Sequence, residues 1–90
     1  TSALRDAPNK YDFINKIKKD FDMVISVIPG TDEARYGAVA ASNLLPIDDA
    51  ISIDIGGGST DMALIRDNKI IDTCSLNIGT VRLKELFFDK

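Results

Sequence analysis

The feature that most constrains this chain is a run of three glycines, Gly56–Gly58, between two segments in which apolar and polar residues alternate. Ile51, Ile53 and Ile55 alternate with polar residues before the glycines, and Thr60–Arg66 alternates after them. A period of two residues is typical of a strand with one buried face. The pattern therefore predicts two strands joined through a glycine-rich turn.

The residues that follow the glycines exclude two familiar nucleotide-binding loops. A Walker A loop continues as Gly-Lys-Ser/Thr and then as a helix, and a dinucleotide-binding loop also opens a helix. Here Met62–Ile65 continue as a strand, so the sequence fits neither. A glycine-rich hairpin that binds no ligand stays open as an alternative.

The turn carries groups suited to phosphate and to a metal ion. Glycines allow positive φ and expose backbone N–H groups, so Gly56–Gly58 can form a nest for phosphate oxygens. Ser59 and Thr60 add hydroxyl donors. Asp54 and Asp61 flank the turn, and two carboxylates near a phosphate are a common way of holding Mg²⁺. We therefore predict a phosphate-binding turn with a metal site beside it.

Two further segments contain candidate functional residues. Thr31 is a suitable N-cap, which places Asp32 and Glu33 in the first turn of a helix. Acids in that turn also favour the helix macrodipole without any further role, and this explanation of Glu33 stays open. Arg5 is suited to a bidentate contact with phosphate; the alternative is an ordinary surface arginine.

The first half of the chain predicts a helix, a strand and a second helix. Asn9 is a suitable N-cap for a helix with four apolar residues near the helical period: Phe13, Ile14, Ile17 and Phe21. The β-branched run Val24–Ile28 predicts a buried strand. From Thr31 to Leu45, small residues recur on one helical face, and we expect that face to approach another element closely before the helix stops at Pro46.

The second half predicts a meander of three strands followed by a helix. Asp67 and Asn68 have the residue types of a two-residue hairpin turn between Thr60–Arg66 and Lys69–Leu76. An amphipathic helix follows, with four apolar side chains expected to face a core: Val81, Leu83, Leu86 and Phe87.

Composition narrows the chemistry to carboxylates. The 90-residue chain has a net charge of −3 and no histidine, so this segment supplies no Ser-His or Cys-His pair and no usual zinc site. Without a basic cluster we expect no duplex nucleic-acid partner. No run approaches the roughly 20 apolar residues of a membrane span, and no signal peptide is recognisable, so we expect no membrane association. We expect the single cysteine, Cys74, to be a small buried hydrophobe in a reducing cytoplasm.

Four blocks of the sequence, taken together, resemble the exopolyphosphatase and guanosine pentaphosphatase family of the actin-like ATPase class. They occur in that family's order, with similar gaps, and span nearly the whole chain: Thr1–Asn9, Ile28–Arg35, Asp54–Thr60 and Ser75–Glu85. Because the chain opens on Thr1 and lacks the family's first phosphate loop, we expect it to be a segment of a longer protein.

The resemblance implies an α/β fold, as a fragment of the two-lobed actin-like ATPase (ribonuclease H-like) architecture. Residues 1–45 would end the first lobe and supply the interlobe helix, and residues 46–90 would begin the second lobe with its phosphate loop. The implied activity is hydrolysis of a terminal phosphoanhydride, in inorganic polyphosphate or guanosine pentaphosphate, with Mg²⁺ as cofactor. We expect the parent protein to be a homodimer.

By the same resemblance, Glu33 is the catalytic glutamate that orients and activates the attacking water. Asp54 and Asp61 are metal ligands, although the family usually has glutamate at the position of Asp61. The turn Gly56–Thr60 is the phosphate loop, and Arg5 contacts a substrate phosphate. The alternative is a non-hydrolytic nucleotide- or phosphate-binding module of the actin-like class.

Overall fold

The structure is a computed structural model that describes residues 1–88. Within that range the chain forms four helices and three strands, in the order α1 (Ser2–Asp6), α2 (Lys10–Phe21), α3 (Gly30–Leu44), β1 (Ala50–Ile55), β2 (Thr60–Arg66), β3 (Lys69–Leu76) and α4 (Thr80–Phe87). The strands form one antiparallel sheet in the order β1-β2-β3. The predicted meander is therefore confirmed.

The hairpin between β2 and β3 has the turn that its residue types predict. Asp67 and Asn68 have φ of 51° and 60°, the left-handed values that a type I′ turn requires at both central positions. The turn also binds the loop before β1. The Asn68 N–H donates to the Asp48 carbonyl at 2.9 Å, and the Asp67 N–H donates to Asp49 Oδ1 at 3.0 Å.

One face of the sheet packs against α3. The β1–β2 register places Ala50 opposite Ile65 and Asp54 opposite Asp61, so these four residues share a face. Ala38 of α3 forms the core with Ala63 and Ile65 of β2, and Ile70 packs against this cluster. The buried Ala34 and Ala38 confirm that the small face of α3 makes a close contact.

The opposite face of the sheet is uncovered within residues 1–88. Ile51, Ile53 and Ile55 are 65%, 59% and 65% exposed, although their alternation is that of a strand with one apolar face. The face that packs against α3 is the one carrying Ala50 and Asp54. The sheet thus turns its more polar β1 residues toward the helix and its isoleucines outward.

Two expectations about the first half of the chain are corrected by the structure, the strand Val24–Ile28 and the N-cap Thr31, whereas the predicted helix after Asn9 is confirmed. The predicted strand Val24–Ile28 is not formed, because no described segment lies beside it to complete a ladder, and Val24 is 76% exposed. Helix α2 does begin after Asn9, but it buries none of its residues. Helix α3 begins at Gly30 with Pro29 as N-cap, not Thr31, because the Pro29 carbonyl accepts from the N–H groups of Asp32 and Glu33.

Two expectations about the second half are also wrong. Cys74 is exposed, since it lies on the uncovered face of the sheet, opposite Met62. The apolar side chains of α4 do not face a core within residues 1–88, and Val81, Leu86 and Phe87 are more than half exposed. Helix α4 is held by its first backbone N–H groups instead, as described below.

No helix between Thr1 and Phe88 has both the length and the apolar character needed to cross a bilayer.

Candidate active site

A cleft of about 410 Å³ lies between α1, the first half of α3 and the glycine-rich turn. Thr1, Ser2, Ala3 and Gly37 line the cleft. Most of the predicted site residues line it as well: Glu33, Asp54, Gly56, Gly57, Gly58, Ser59 and Asp61. Arg5 and Thr60 are not among the residues that line it. Side chains 28 residues apart in the chain, such as Glu33 and Asp61, thus face one space.

The glycine-rich turn is oriented by helix α4. The Gly56 carbonyl accepts from the Thr80 N–H at 3.0 Å, and the Gly57 carbonyl accepts from the N–H groups of Val81 and Arg82 at 3.0 Å. The Gly58 carbonyl accepts from Nε of Arg82 at 2.8 Å. These bonds satisfy donors in the first turn of α4, which have no partner inside the helix.

The same bonds set the direction of the backbone N–H groups of the turn. In a trans peptide the carbonyl and the following N–H point in opposite directions. Because the carbonyls of Gly56–Gly58 face α4, the N–H groups of Gly57, Gly58 and Ser59 face away from it, and these three residues line the cleft. None of the three N–H groups has a hydrogen-bond acceptor among the described residues. The Gly56 N–H differs, since it donates to the Ser59 carbonyl at 2.9 Å.

The glycines serve close packing and not a left-handed backbone. No glycine in the described part of the chain has a positive φ, so the conformational reason predicted for them is wrong. A Cβ on Gly58 would overlap Oγ of Ser2, and a Cβ on Gly79 would overlap the backbone of Gly57. Side chains at these positions would therefore separate the turn from α1 and α4.

The two predicted hydroxyl donors have different surroundings. Ser59 is buried and lines the cleft. The Thr60 hydroxyl donates to the Ile78 carbonyl at 2.6 Å, so it supports the segment that leads into α4. The structure thus brings Ser59, and not Thr60, to the space beside the free N–H groups.

Asp54 and Asp61 form a cross-strand pair at the mouth of the β1–β2 hairpin. They are opposite each other in the register and both line the cleft. Asp61 is 8% exposed, and its Oδ1 accepts a 2.6 Å hydrogen bond from Oγ of Ser75. Neither carboxylate has an ion-pair partner within residues 1–88. Like charges directly opposite in a sheet are destabilising, so a cation at this place would relieve a repulsion.

The donor set of this pair fits Mg²⁺. Mg²⁺ prefers oxygen ligands, keeps several waters and is usually held by one or two carboxylates together with substrate phosphate oxygens. In the described part of the chain no third Asp, Glu, His or Cys completes an all-protein metal cage. Two carboxylates beside free N–H groups suit a metal that shares its coordination with phosphate and water.

Glu33 lies on the other side of the cleft, in the first turn of α3, and its side chain is 23% exposed. Its Oε1 is 3.0 Å from the Thr1 ammonium and its Oε2 is 3.4 Å from Nη2 of Arg5. Burial acts to raise the pKa of Glu33, but the hydrogen bond and charge of the Thr1 ammonium, with the charge of Arg5, outweigh it and lower the pKa below 4.5. The carboxylate is therefore ionised at neutral pH. The Arg5 contribution does not depend on a free amino terminus.

Arg5 is held beside Glu33 and not in the cleft. Besides the contact with Glu33, its Nη1 donates to the Ile28 carbonyl at 3.0 Å, and its side chain is 20% exposed. In this arrangement the guanidinium is a partner of Glu33 and of the backbone before α3. Its predicted contact with substrate phosphate stays a prediction.

Three residues that sequence reasoning left without a role belong to the site. Ser75 binds Asp61, Arg82 binds the Gly58 carbonyl, and Gly37 lines the cleft. A Cβ on Gly37 would meet nothing within 4 Å, so this glycine leaves room in the cleft, unlike the tightly packed Ala34 and Ala38. Nothing local in the sequence signals these contacts, because their partners are distant in the chain.

Comparison with known proteins shows which family has this sequence. The model of the Ppx/GppA phosphatase family matches residues 1–90. The chain is 40% identical, over 98% of its length, to a bifunctional 3-dehydroquinate synthase/phosphatase of Fusobacterium nucleatum, of which it covers 14%. It is 39% identical, over 98% of its length, to a guanosine-5'-triphosphate,3'-diphosphate pyrophosphatase of Pseudoalteromonas atlantica, of which it covers 18%.

A solved structure shows the same arrangement of elements. An exopolyphosphatase from Cytophaga hutchinsonii superposes with a TM-score of 0.90 at 34% identity, over 97% of this chain and 28% of that one. The predicted fold class is confirmed: the helices and the three-strand sheet are a fragment of the actin-like ATPase fold. The chain spans less than a fifth of the length of these two curated relatives. With a match over residues 1–90, this chain belongs to the Ppx/GppA phosphatase family.

Proposed function

We propose that this chain is the cleft segment of a Mg²⁺-dependent phosphohydrolase that removes a terminal phosphoryl group from a phosphoanhydride. One observation carries the proposal. A single cavity brings an ionised glutamate, two unpaired aspartates and three free backbone N–H groups to the same space. Throughout, the whole protein means the longer enzyme to which we assign this segment.

The glycine-rich turn is the proposed binding site for the phosphate. The N–H groups of Gly57, Gly58 and Ser59 point away from α4 and have no acceptor within the described residues. Backbone N–H groups of a turn that face a common space can bind an anion. Phosphoryl transfer spreads negative charge over the transferred oxygens, and fixed N–H donors stabilise such charge without reorganising.

Glu33 is the proposed group that holds the attacking water. The charge of Arg5 acts to lower the pKa of Glu33, which favours the ionised form that accepts a hydrogen bond from water. In a largely dissociative transition state the base needs to remove little of the proton from the water, because the water is hardly bonded to phosphorus when the leaving group departs. We therefore assign Glu33 mainly to orienting the water.

Asp54 and Asp61 are the proposed ligands of Mg²⁺. Bound there, the ion would supply charge stabilisation to the phosphate oxygens. Asp54 is exposed and free to approach the ion. Asp61 is shorter by one methylene than the usual family glutamate, and Ser75 restrains one of its oxygens, which leaves the other oxygen for the ion or one of its waters.

Two relatives support the substrate class. One relative is named guanosine-5'-triphosphate,3'-diphosphate pyrophosphatase, and another is named exopolyphosphatase. Guanosine pentaphosphate and inorganic polyphosphate both end in a phosphoryl group on a phosphoanhydride. The cleft binds that terminal group and offers no described contact that separates the two substrates. Cytoplasmic location and a homodimeric whole protein are proposed with the same activity.

A non-hydrolytic phosphate-binding module is the second candidate function. It is favoured by a contact of Glu33, because Oε2 of its carboxylate lies 3.4 Å from Nη2 of Arg5. In such a module the carboxylate of Glu33 would serve to hold Arg5 and would orient no water. Such a module would bind phosphate at the turn without releasing it from a substrate.

Phosphate release by the whole protein separates the candidates. We expect Mg²⁺-dependent release of phosphate from polyphosphate or guanosine pentaphosphate, and loss of release when EDTA removes the metal. ATP serves as a third substrate, to test whether a nucleoside triphosphate is cleaved as well. Binding of phosphate without release from any of the three would favour the non-hydrolytic module and contradict the proposed hydrolase.

A further inference from the structure

Arg82 joins three elements on the side of the turn that faces away from Glu33. It belongs to α4, its Nε donates to the Gly58 carbonyl at 2.8 Å, and its Nη2 forms an ion pair with Oδ2 of Asp6 in α1 at 2.6 Å. Asp6 and Arg82 are 76 residues apart in the chain. One guanidinium therefore connects the turn to helices from both ends of the segment.

In the described structure, the Gly58 carbonyl is the only one of the three turn carbonyls that is bound by a side chain and by no backbone N–H. The carbonyls of Gly56 and Gly57 accept from backbone N–H groups of α4, which no substitution in α4 other than proline removes. The Gly58 carbonyl accepts from Nε of Arg82. Since this carbonyl shares a peptide plane with the Ser59 N–H, Arg82 sets the direction of one of the three free donors.

Asp6 determines where the guanidinium of Arg82 lies. The side chain of Arg82 is 32% exposed and that of Asp6 is 46% exposed, so the ion pair by itself stabilises the fold little. The geometry of the Arg82 guanidinium matters more than the strength of the ion pair. A guanidinium is a rigid fork, so it can bind the Gly58 carbonyl and the Asp6 carboxylate at the same time and at fixed positions. In the same helix, Ser2 packs against Gly58 and lines the cleft.

We propose that Arg82 is a positioning residue for the phosphate-binding turn, and that its pair with Asp6 couples α1 to the direction of the Ser59 N–H. This inference rests on the proposed phosphate-binding role of the turn. A lysine at position 82 keeps the charge, but all its donors are on one nitrogen, so it cannot reproduce the separate Nε and Nη2 contacts with the Gly58 carbonyl and Asp6. The fork, and not the charge alone, is the required feature.

Substrate kinetics of the whole protein give the first test, with Arg82→Gln, Arg82→Lys and Asp6→Asn. We expect Arg82→Gln and Arg82→Lys each to raise KM by about tenfold, the loss of one charge-assisted hydrogen bond, with a smaller change in kcat. Asp6→Asn should raise KM less, and should add nothing to Arg82→Gln in the double variant. Arg66→Gln, which removes the same charge at the far end of β2, is the matched control and should leave KM unchanged.

The Ser59 amide resonance gives the second test, which does not require turnover. Inorganic phosphate is titrated into the ¹⁵N-labelled whole protein, and the shift of this resonance should saturate at about tenfold higher phosphate in Arg82→Gln than in Arg66→Gln. Equal KM values and equal phosphate titrations in Arg82→Gln and Arg66→Gln would overturn the inference. A wild-type KM in Arg82→Lys would overturn it as well. A Ser59 amide that does not respond to phosphate in the wild type would overturn it too. Phosphate binding with the expected Arg82 dependence but without hydrolysis would leave it standing and refute the proposed hydrolase alone.

Discussion

The two walls of the cleft handle negative charge in opposite ways. On the first wall, the carboxylate of Glu33 lies 3.4 Å from the guanidinium of Arg5, which is outside the cleft. On the second wall, formed by Asp54 and Asp61 beside the glycine-rich turn, neither carboxylate has a cationic partner within residues 1–88. This difference agrees with our proposal of a metal ion on the second wall and none on the first.

This difference divides the proposed work between the walls. An internally paired glutamate keeps its position and its ionised state as ligands come and go, which suits the orientation of water. Like charges directly opposite in a sheet are destabilising, so binding of a cation would stabilise Asp54 and Asp61, which have no ion-pair partner in the described part of the chain. Substitutions on the first wall should therefore alter turnover, and substitutions on the second should alter the response to Mg²⁺.

The largest effect is expected for Glu33→Gln in the whole protein. The amide keeps the size and much of the hydrogen-bonding capacity but loses the charge, so kcat should fall by about 10²-fold or more with KM little changed. Asp32→Asn, a substitution of the neighbouring acid in the same helical turn, is the control and should retain most of the activity. Equal losses in both variants would mean that Glu33 acts only as a first-turn acid.

Asp54→Asn tests the second wall. Removing one of two carboxylate ligands should shift the Mg²⁺ concentration for half-maximal phosphate release by roughly tenfold or more, and lower the maximal rate with it. Asp20→Asn, on the exposed side of α2, is the matched charge control. An Mg²⁺ titration that Asp54→Asn leaves unchanged would place the metal elsewhere.

Ser75→Ala sharpens the assignment of Asp61. The substitution removes the 2.6 Å hydrogen bond to Oδ1, and loss of a contact that orients a metal ligand typically costs about 10-fold in metal affinity. The Mg²⁺ titration measures the effect, with Ser26→Ala, at an exposed position, as control. Retention of wild-type Mg²⁺ dependence in Ser75→Ala would show that Asp61 needs no such restraint or binds no metal.

The smallest effect is the pH dependence contributed by the first wall. Arg5 acts to lower the pKa of Glu33 in the folded protein, so this pair favours proton binding by the unfolded state, and its contribution to stability is present above about pH 4.5. The contribution is lost as the pH falls through the folded-state pKa. Carboxyl NMR titration should show a higher pKa for Glu33 in Arg5→Gln than in the wild type. An unchanged pKa in Arg5→Gln would show that Arg5 is not the charge partner of Glu33.

The sequence predicts local structure here better than contacts between distant segments. The bounds of β2 and β3 and the Asp67-Asn68 turn follow from alternation and turn chemistry, which act over a few residues. Val24–Ile28 has the composition of a strand but forms none in residues 1–88, because a strand needs a neighbouring ladder that composition cannot supply. Helix α4 is likewise positioned by backbone bonds to the turn and not by its apolar side chains.

The contact of Ser75 with Asp61 cannot be predicted from the sequence because of one irregularity in the pairing of β2 with β3. Counting back from the hairpin turn in a regular ladder would place Asp61 opposite Cys74. A register shift between Leu64 and Ile65 places it opposite Ser75 instead. Bulges of this kind depend on packing and are poorly signalled by residue type. The acids and the glycine-rich turn could be predicted as candidates from chemistry alone, but the hydrogen bond that holds Asp61 could not.

Metal binding without turnover tests the division between the two walls most directly. Mn²⁺, in place of Mg²⁺, can be titrated into the whole protein with inorganic phosphate present and followed by electron paramagnetic resonance, in the wild type, Asp54→Asn and Glu33→Gln. We predict that Asp54→Asn weakens Mn²⁺ binding by roughly tenfold or more, while Glu33→Gln binds Mn²⁺ as the wild type does. Equal binding by all three proteins, or a greater loss in Glu33→Gln than in Asp54→Asn, would contradict the account.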